Sequence, residues 1–468
     1  MEITKLSAHE TLQLIRQKQL SPMEVIQAYM DCYTKYNPKL NAVCSLSDDV
    51  FQQAEKWERE AKNDNFYPLH GLPVGIKDVT PTANLRTTYG CKLYENHVPK
   101  EDALVVQRLK ENGAIILGKT NTPEFATGGN TFNEVFGTTF NPWNPELSAG
   151  GSTGGGAAAL ASGMIAIAEG TDLGGSLRIP ASFCGIVGLR PTPGLIPTYP
   201  SEYLWDDMQV TGPMARTAED IAIVLDAVAG ESPLSPMRQP THGRQFLETV
   251  LKGIPAGTRV AYCSDIADIG IEDEVENLCR TASFLLREKG VEVEEIKFDL
   301  SFARKAFLHL RGEWMLIQQY KNIERRNEFG SNLLGNIDAG LKISARDLAM
   351  AHHDRAQTWY KFRSFFEKYD YLLTPCMAVP PFPAKQNYPL TIAGKEMKTY
   401  IDWVAPTFLL SLTSLPIGCV PCGLTQQKLP VGLQIVGKPT SEEHVLALAK
   451  LIQETSPIGL PSLEETLS

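Results

Sequence analysis

The 468-residue sequence predicts an α/β protein with a central mixed, largely parallel β-sheet sandwiched between helices. Two observations carry that reading. Short apolar runs rich in β-branched residues recur along the chain, and segments of helical periodicity separate them. No fixed-period repeat or low-complexity linker is visible. Length alone suggests about three domains, although large single α/β enzymes reach this size. We expect an N-terminal helical layer over residues 1–65 and a single α/β domain over residues 66–468, with a helical insertion around 301–367 on the substrate side.

The N-terminal layer rests on start signals. "SAHETLQLIRQKQ" has Ser7 as a cap with Glu10 three residues on, and "SPMEVIQAYMDCYTKY" opens with Ser21, Pro22 and Glu24. Strands are expected at "LPVGIKDV" (Leu72 to Val79), "AIILGKT" (Ala114 to Thr120), "TRVAYCS", "VEVEEIKF", "DYLLTP", "IGCVPCG" and "VGLQIVG". Thr217 to Ala229 reads as a helix, and the Pro- and Ser-rich stretch Gly230 to Arg244 as the one soft boundary.

Composition narrows the function classes. With 44 basic and 54 acidic residues the formal charge is −10, and no run of five basic residues tracks a phosphate backbone, which argues against nucleic acid as primary partner. "MEITKLSAHE" reads as neither a secretory signal nor a transit peptide, so a cytoplasmic location is expected. Trp403 to Cys422 is apolar, but Pro406, Pro416 and Pro421 suit a buried core better than a bilayer. Nine unclustered cysteines read as reduced thiols, and Cys419 and Cys422 form a CxxC without a second pair or histidines at zinc spacing.

The unusual stretch is "GGSTGGGAAALASGMIAIAEGTDLGGSLRIP", Gly150 to Pro180. Its glycines lead into "AAALASGMIAIA", which suits a tightly packed helix rather than a flexible linker. A phosphate loop needs a Lys after the glycines, and a dinucleotide fingerprint needs a preceding strand where "NPWNPELSA" stands. Gly150 to Gly154 matches GxSxG, yet His242, His309, His352, His353 and His444 offer no setting that singles out a base. A Ser–His–acid enzyme stays open on these residues.

Another reading joins two serines to a lysine. A serine hydroxyl is a weak nucleophile until a base takes its proton, and a buried lysine can be that base if desolvation leaves its amine neutral. Lys77 in "GLPVGIKDV" stands alone among apolar strand residues, although an isolated strand lysine more often snorkels to solvent. In "TDLGGSLRIP", Gly174 and Gly175 permit a turn that aims the amides of Leu173, Gly174, Gly175 and Ser176 at one oxyanion; an ordinary tight turn has the same signature.

Together these pieces closely resemble the amidase signature family. The matching runs are "GLPVGIKDV", "GKTNTPEFATGGNT", "FGTTFNPWNP", the glycine-serine stretch continuing to "GLRPTPG", "GPMARTAEDIA" and "LPVGLQIVG", in order over most of the chain. The resemblance implies the amidase signature fold and a Ser–Ser–Lys triad: Ser176 as nucleophile, Ser152 as bridge after a cis peptide bond, and Lys77 as base. It also implies supporting roles for Thr171, Asp172 and Arg178. Thr153 stands where many members carry a second serine, keeping the hydroxyl and adding a methyl.

The resemblance thus implies an enzyme hydrolysing a carboxylic amide to acid and ammonia or amine, with no cofactor, a small-molecule amide substrate, no membrane partner and a homodimer left open. "GKTNTPEF" looks like the stand-alone amidases rather than the glutamine-hydrolysing subunits of tRNA-dependent amidotransferases, which form the alternative; a catalytically silent binding protein comes third. The resemblance puts the acyl group near Ala126 to Gly128, including Thr127. It also aligns Arg355 with an arginine that binds a substrate carboxylate in glutamine-specific relatives, while Asp402 is displaced by two positions from the nearest acidic equivalent.

Overall fold

The computed structural model describes residues 2–467. Eleven strands form one sheet: β1 (Val43–Leu46), β2 (Pro73–Lys77), β3 (Ile115–Thr120), β4 (Ile167–Asp172), β5 (Val187–Arg190), β6 (Val210–Ala215), β7 (Arg259–Tyr262), β8 (Glu292–Glu295), β9 (Tyr371–Pro375), β10 (Ile417–Leu424) and β11 (Pro430–Val436). Their spatial order is β1-β3-β2-β4-β6-β5-β10-β11-β9-β7-β8.

All seven strands expected from sequence are present. The other four are β1, β4, β5 and β6, and they change the character of the sheet. Only β2/β3, β2/β4, β7/β9 and β7/β8 pair in parallel. The remaining neighbours are antiparallel, four of those six pairs involving a strand that local pattern hides. The sheet is mixed as expected, with a smaller parallel share. β4 reads IAEGTD and β6 reads VTGPMA, so Gly, Pro and charge mask segments that tertiary pairing makes extended.

Every residue of β2, β3, β4, β5, β6, β9 and β11 is buried. Successive side chains on a strand point to opposite faces, so full burial means both faces are covered. The helices that matter here are α1 (Ala8–Arg16), α2 (Pro22–Leu40), α3 (Val50–Lys62), α4 (Gly154–Ala161), α5 (Arg178–Cys184), α6 (Ala218–Val228), α7 (Arg304–Gln318), α8 (Ser331–Gly340), α9 (Ala345–Phe365) and α10 (Ala405–Ser411). Ser7 and Ser21 each close a capping box with Glu10 and Glu24. Among the described residues no helix is long and apolar enough to cross a membrane.

The alanine-rich run departs from the single helix expected of it. α4 stops at Ala161, the chain turns, and Ile167 onward is β4, a central strand. This places α4 against β3 and β4, and the approach is close enough to require glycine. A Cβ on Gly155 would lie 2.3 Å from Asn121 N, 2.5 Å from Ala42 O and 2.7 Å from Asn121 O, all backbone atoms that cannot rotate away. Gly155→Ala should therefore destabilise the fold by about 1–3 kcal/mol, despite the better helix propensity of alanine. The check is urea denaturation: a lower midpoint with an unchanged slope is expected.

Candidate active site

β2 and β4 run parallel, so Lys77 at the end of one lies beside Thr171 and Asp172 at the end of the other. Lys77 is 0% exposed. Its Nζ lies 2.7 Å from Ser152 Oγ, 3.0 Å from Thr171 Oγ1 and 3.5 Å from Thr171 O. Burial pulls its pKa down to about 7, against the opposing influence of Glu169 and Asp172. The ordinary strand lysine would reach water; this one has no route to it, which shifts the balance towards the neutral amine. Glu169, which no motif in the sequence singles out, accepts from Lys77 N at 3.1 Å and from Thr80 Oγ1 at 2.9 Å, and burial raises its own pKa.

Ser152 is fully buried and follows a cis peptide from Gly151. Thr153 N donates to Ser176 O at 3.2 Å, tying the loop that carries Ser152 to the turn that carries Ser176. Among the described residues the Thr153 hydroxyl has no hydrogen-bond partner. Its methyl lies against Gly156 and Gly170, where a Cβ would come within 3.2 and 2.6 Å of it. The threonine thus contributes packing and a backbone bond.

Asp172 organises the turn. Its carboxylate accepts from Gly175 N at 2.8 Å and Leu177 N at 3.2 Å, and Arg178 Nε and Nη2 each donate to it at 3.0 Å. Arg190 Nη1 stands 3.6 Å away. Burial by itself would raise the Asp172 pKa; Arg178, Arg190 and the backbone bonds reverse that and hold it at about 2. Arg178 Nη1 also donates to Thr407 O and Gln434 Oε1, both at 2.8 Å, so α10 and β11 are drawn onto the same ion. Gly175 sits at φ +123°, and a Cβ there would meet Thr407 Oγ1 at 2.3 Å, so only glycine makes this turn. Because the Gly175 amide is committed to Asp172, the donors in the turn without an acceptor among the described residues are the amides of Leu173, Gly174 and Ser176.

Ser176 is half-buried and lines a cavity with Gly128, Thr171, Gly174, Gln209 and Arg311. Apolar walls come from Phe125, Ile179, Trp314, Met315 and Val404. Phe125 and Ala126, facing the turn, hold φ of 45° and 58°, a conformation that is uncommon for such residues and clusters at ligand-binding loops. Thr127 does not line the cavity; its hydroxyl donates to Phe125 O at 3.3 Å. Arg355 is also elsewhere, which corrects its expected part in holding substrate. Its Nη1 donates to Asp207 Oδ1 at 3.0 Å, Nη2 to Ser414 Oγ at 3.1 Å and Nε to Leu412 O at 2.9 Å. The face of α9 that carries it meets the 206–207 and 412–414 segments. Asp402, at its displaced position, pairs with Arg304 and lies outside the cavity.

The fold is that of an amide-hydrolysing enzyme of the amidase family, whose model, "Amidase", matches residues 24–446. The chain belongs to that family. It is similar to an acylamidase of Rhodococcus erythropolis, 32% identical over 460 residues, covering 97% of this chain and 96% of the relative. It is also similar to a glutamyl-tRNA(Gln) amidotransferase subunit of Sulfurihydrogenibium sp. (strain YO3AOP1), 31% identical over 482 residues, covering 97% and 98%. A solved bacterial aryl acylamidase of the amidase signature family matches with a TM-score of 0.89 at 26% identity, covering 97% of this chain and 96% of that one.

Removing the charge of Asp172 leaves two guanidinium groups buried without a counter-ion. Asp172→Asn is expected to cost about 3–5 kcal/mol of stability, measurable by urea denaturation near neutral pH. The folded pKa lies below the ordinary 3.8, so this stabilisation is complete above that value and is lost as pH falls towards 2.

Proposed function

We propose that the chain is a stand-alone amidase that cleaves a carboxylic amide through an acyl-enzyme on Ser176, with Ser152 and Lys77 as the proton relay. One observation carries the reading: a fully buried lysine amine with a pKa of about 7 lies 2.7 Å from Ser152 Oγ. In the proposed sequence, Ser176 Oγ attacks the carbonyl carbon and its proton passes to Ser152 Oγ as the Ser152 proton passes to neutral Lys77 Nζ. The amides of Leu173, Gly174 and Ser176 stabilise the tetrahedral oxyanion. As the C–N bond breaks, the lysine proton returns through Ser152 to the departing amine. Water then adds to the acyl-enzyme by the same relay and releases the acid.

A second reading is favoured by the amidotransferase relatives, which match nearly the full chain at comparable identity. In it, the same chemistry on glutamine would deliver ammonia to a partner protein. Activity of the isolated chain on simple amides supports the first reading; glutamine hydrolysis only in the presence of other subunits supports the second.

Ser176→Ala should abolish ammonia release from simple amides while the urea midpoint stays near wild type, and retained turnover removes Ser176 as nucleophile. Lys77→Met should lower kcat by roughly 10²–10⁴. The base must be neutral to act, so kcat/KM should rise about tenfold per unit below pH 7 and level off above it. A profile flat from pH 5 to about 9 would remove Lys77 as the base.

A further inference from the structure

Among the described residues, Arg311 is the one cation lining the cavity that holds Ser176. It projects from α7 and is 7% exposed. Its Nη1 donates to Asn336 Oδ1 on α8 and its Nη2 to Tyr400 Oη at 2.7 Å, while the guanidinium lies 5.7 Å from the Tyr400 ring centre. Both acceptors are neutral. No carboxylate lies within 4.0 Å of the guanidinium among the described residues, whereas the two other buried arginines beside the site, Arg178 and Arg190, share the single carboxylate of Asp172. Of the five N–H bonds of Arg311, three have no acceptor among the described residues.

Taking a charge out of water without a counter-ion costs several kcal/mol. Here the charge is held between an amide and a phenol on the wall of a cavity whose lining contains no Asp or Glu. A planar guanidinium with unused donors is matched by a carboxylate, which would meet it in charge-assisted bonds. Arg311 lines this cavity but not the adjoining pocket of Tyr89, Tyr94, His97 and Pro197–Glu202, which shares Phe125, Ala126, Thr171, Gln209, Trp314 and Met315 with it. With the leaving amine in that second pocket, the acyl half lies on the Arg311 side.

We propose that Arg311 anchors a carboxylate on the acyl portion of the substrate, so that the enzyme acts on the ω-amide of a dicarboxylic acid. The same lining offers no anion for an α-ammonium group, which sets such a monoanion apart from the zwitterion glutamine. The inference rests on the amidase reading above and names its substrate class.

The test is a panel of half-amides, succinamate, glutaramate and adipamate, each compared with the neutral amide of the same carbon count, with glutamine alongside. For at least one chain length, kcat/KM should exceed that of its neutral counterpart by roughly thirty-fold, the scale of one charge-assisted hydrogen bond. Glutaramate should exceed glutamine, and the dicarboxylate product should inhibit competitively where the monocarboxylate does not. Arg311→Met should collapse the anion-to-neutral ratio to about one, and Arg311→Lys should restore part of it. Hydrolysis of neutral amides with no anion preference, a preference that survives Arg311→Met, or glutamine outpacing glutaramate overturns the Arg311 assignment and leaves Ser176 in place. Wild-type protein inert towards every amide overturns the amidase reading itself. The wild-type comparisons stand even if Arg311→Met does not fold.

Discussion

A lysine amine with no access to water is the constraint on which the site depends. Lys77 ends a strand buried on both faces, and among the described residues only the hydroxyls of Ser152 and Thr171 and one carbonyl come within reach of its Nζ. Solvation would keep that amine charged; its absence brings the pKa to about 7. The two layers covering the sheet thus set the protonation of the amine that the proposed relay uses. So is the glycine at 155, which lets α4 close over β3 and bring Ser152 down onto the amine.

A second buried charge does the mechanical work. Asp172 collects two guanidinium groups and two loop amides, and through Arg178 it reaches Thr407, Ser411 and Gln434 on elements more than 200 residues away in sequence. A buried ion pair is weak evidence of net stability, since desolvation offsets much of the attraction. Its value here is geometric: the turn bearing Ser176 is bonded at both carboxylate oxygens and has little freedom to relax. Arg178 and Arg190 share the carboxylate of Asp172, while Arg311, in the neighbouring cavity, has no carboxylate within 4.0 Å among the described residues.

Much of this was legible in local pattern, and the reasons for the rest are specific. Capping boxes at Ser7 and Ser21 and seven strands are written in short-range chemistry, where neighbours three residues apart or alternating side chains decide the outcome. β4 and β6 were hidden because their Gly, Pro and acidic residues are extended only by virtue of the strands beside them. Arg190 and Gln434 lay inside runs already singled out, "GLRPTPG" and "VGLQIVG", yet nothing in a linear run says that both point at Asp172 or at its partner Arg178.

The arginines make the division clear. Spacing along the chain drew attention to Arg355, and packing gave that side chain to Asp207, Leu412 and Ser414. Arg311, which reads as an ordinary charged position on a helix, is the one the fold turns into the cavity. By itself the sequence determined the reactive residue types, the α/β alternation and the glycines at the turns, because these depend on covalent geometry and near neighbours. Only the tertiary structure decided which amine loses its water, which backbone donors stay unbonded and which cation lines the cavity, because desolvation and charge balance are properties of everything packed around a group and not of its place in the chain.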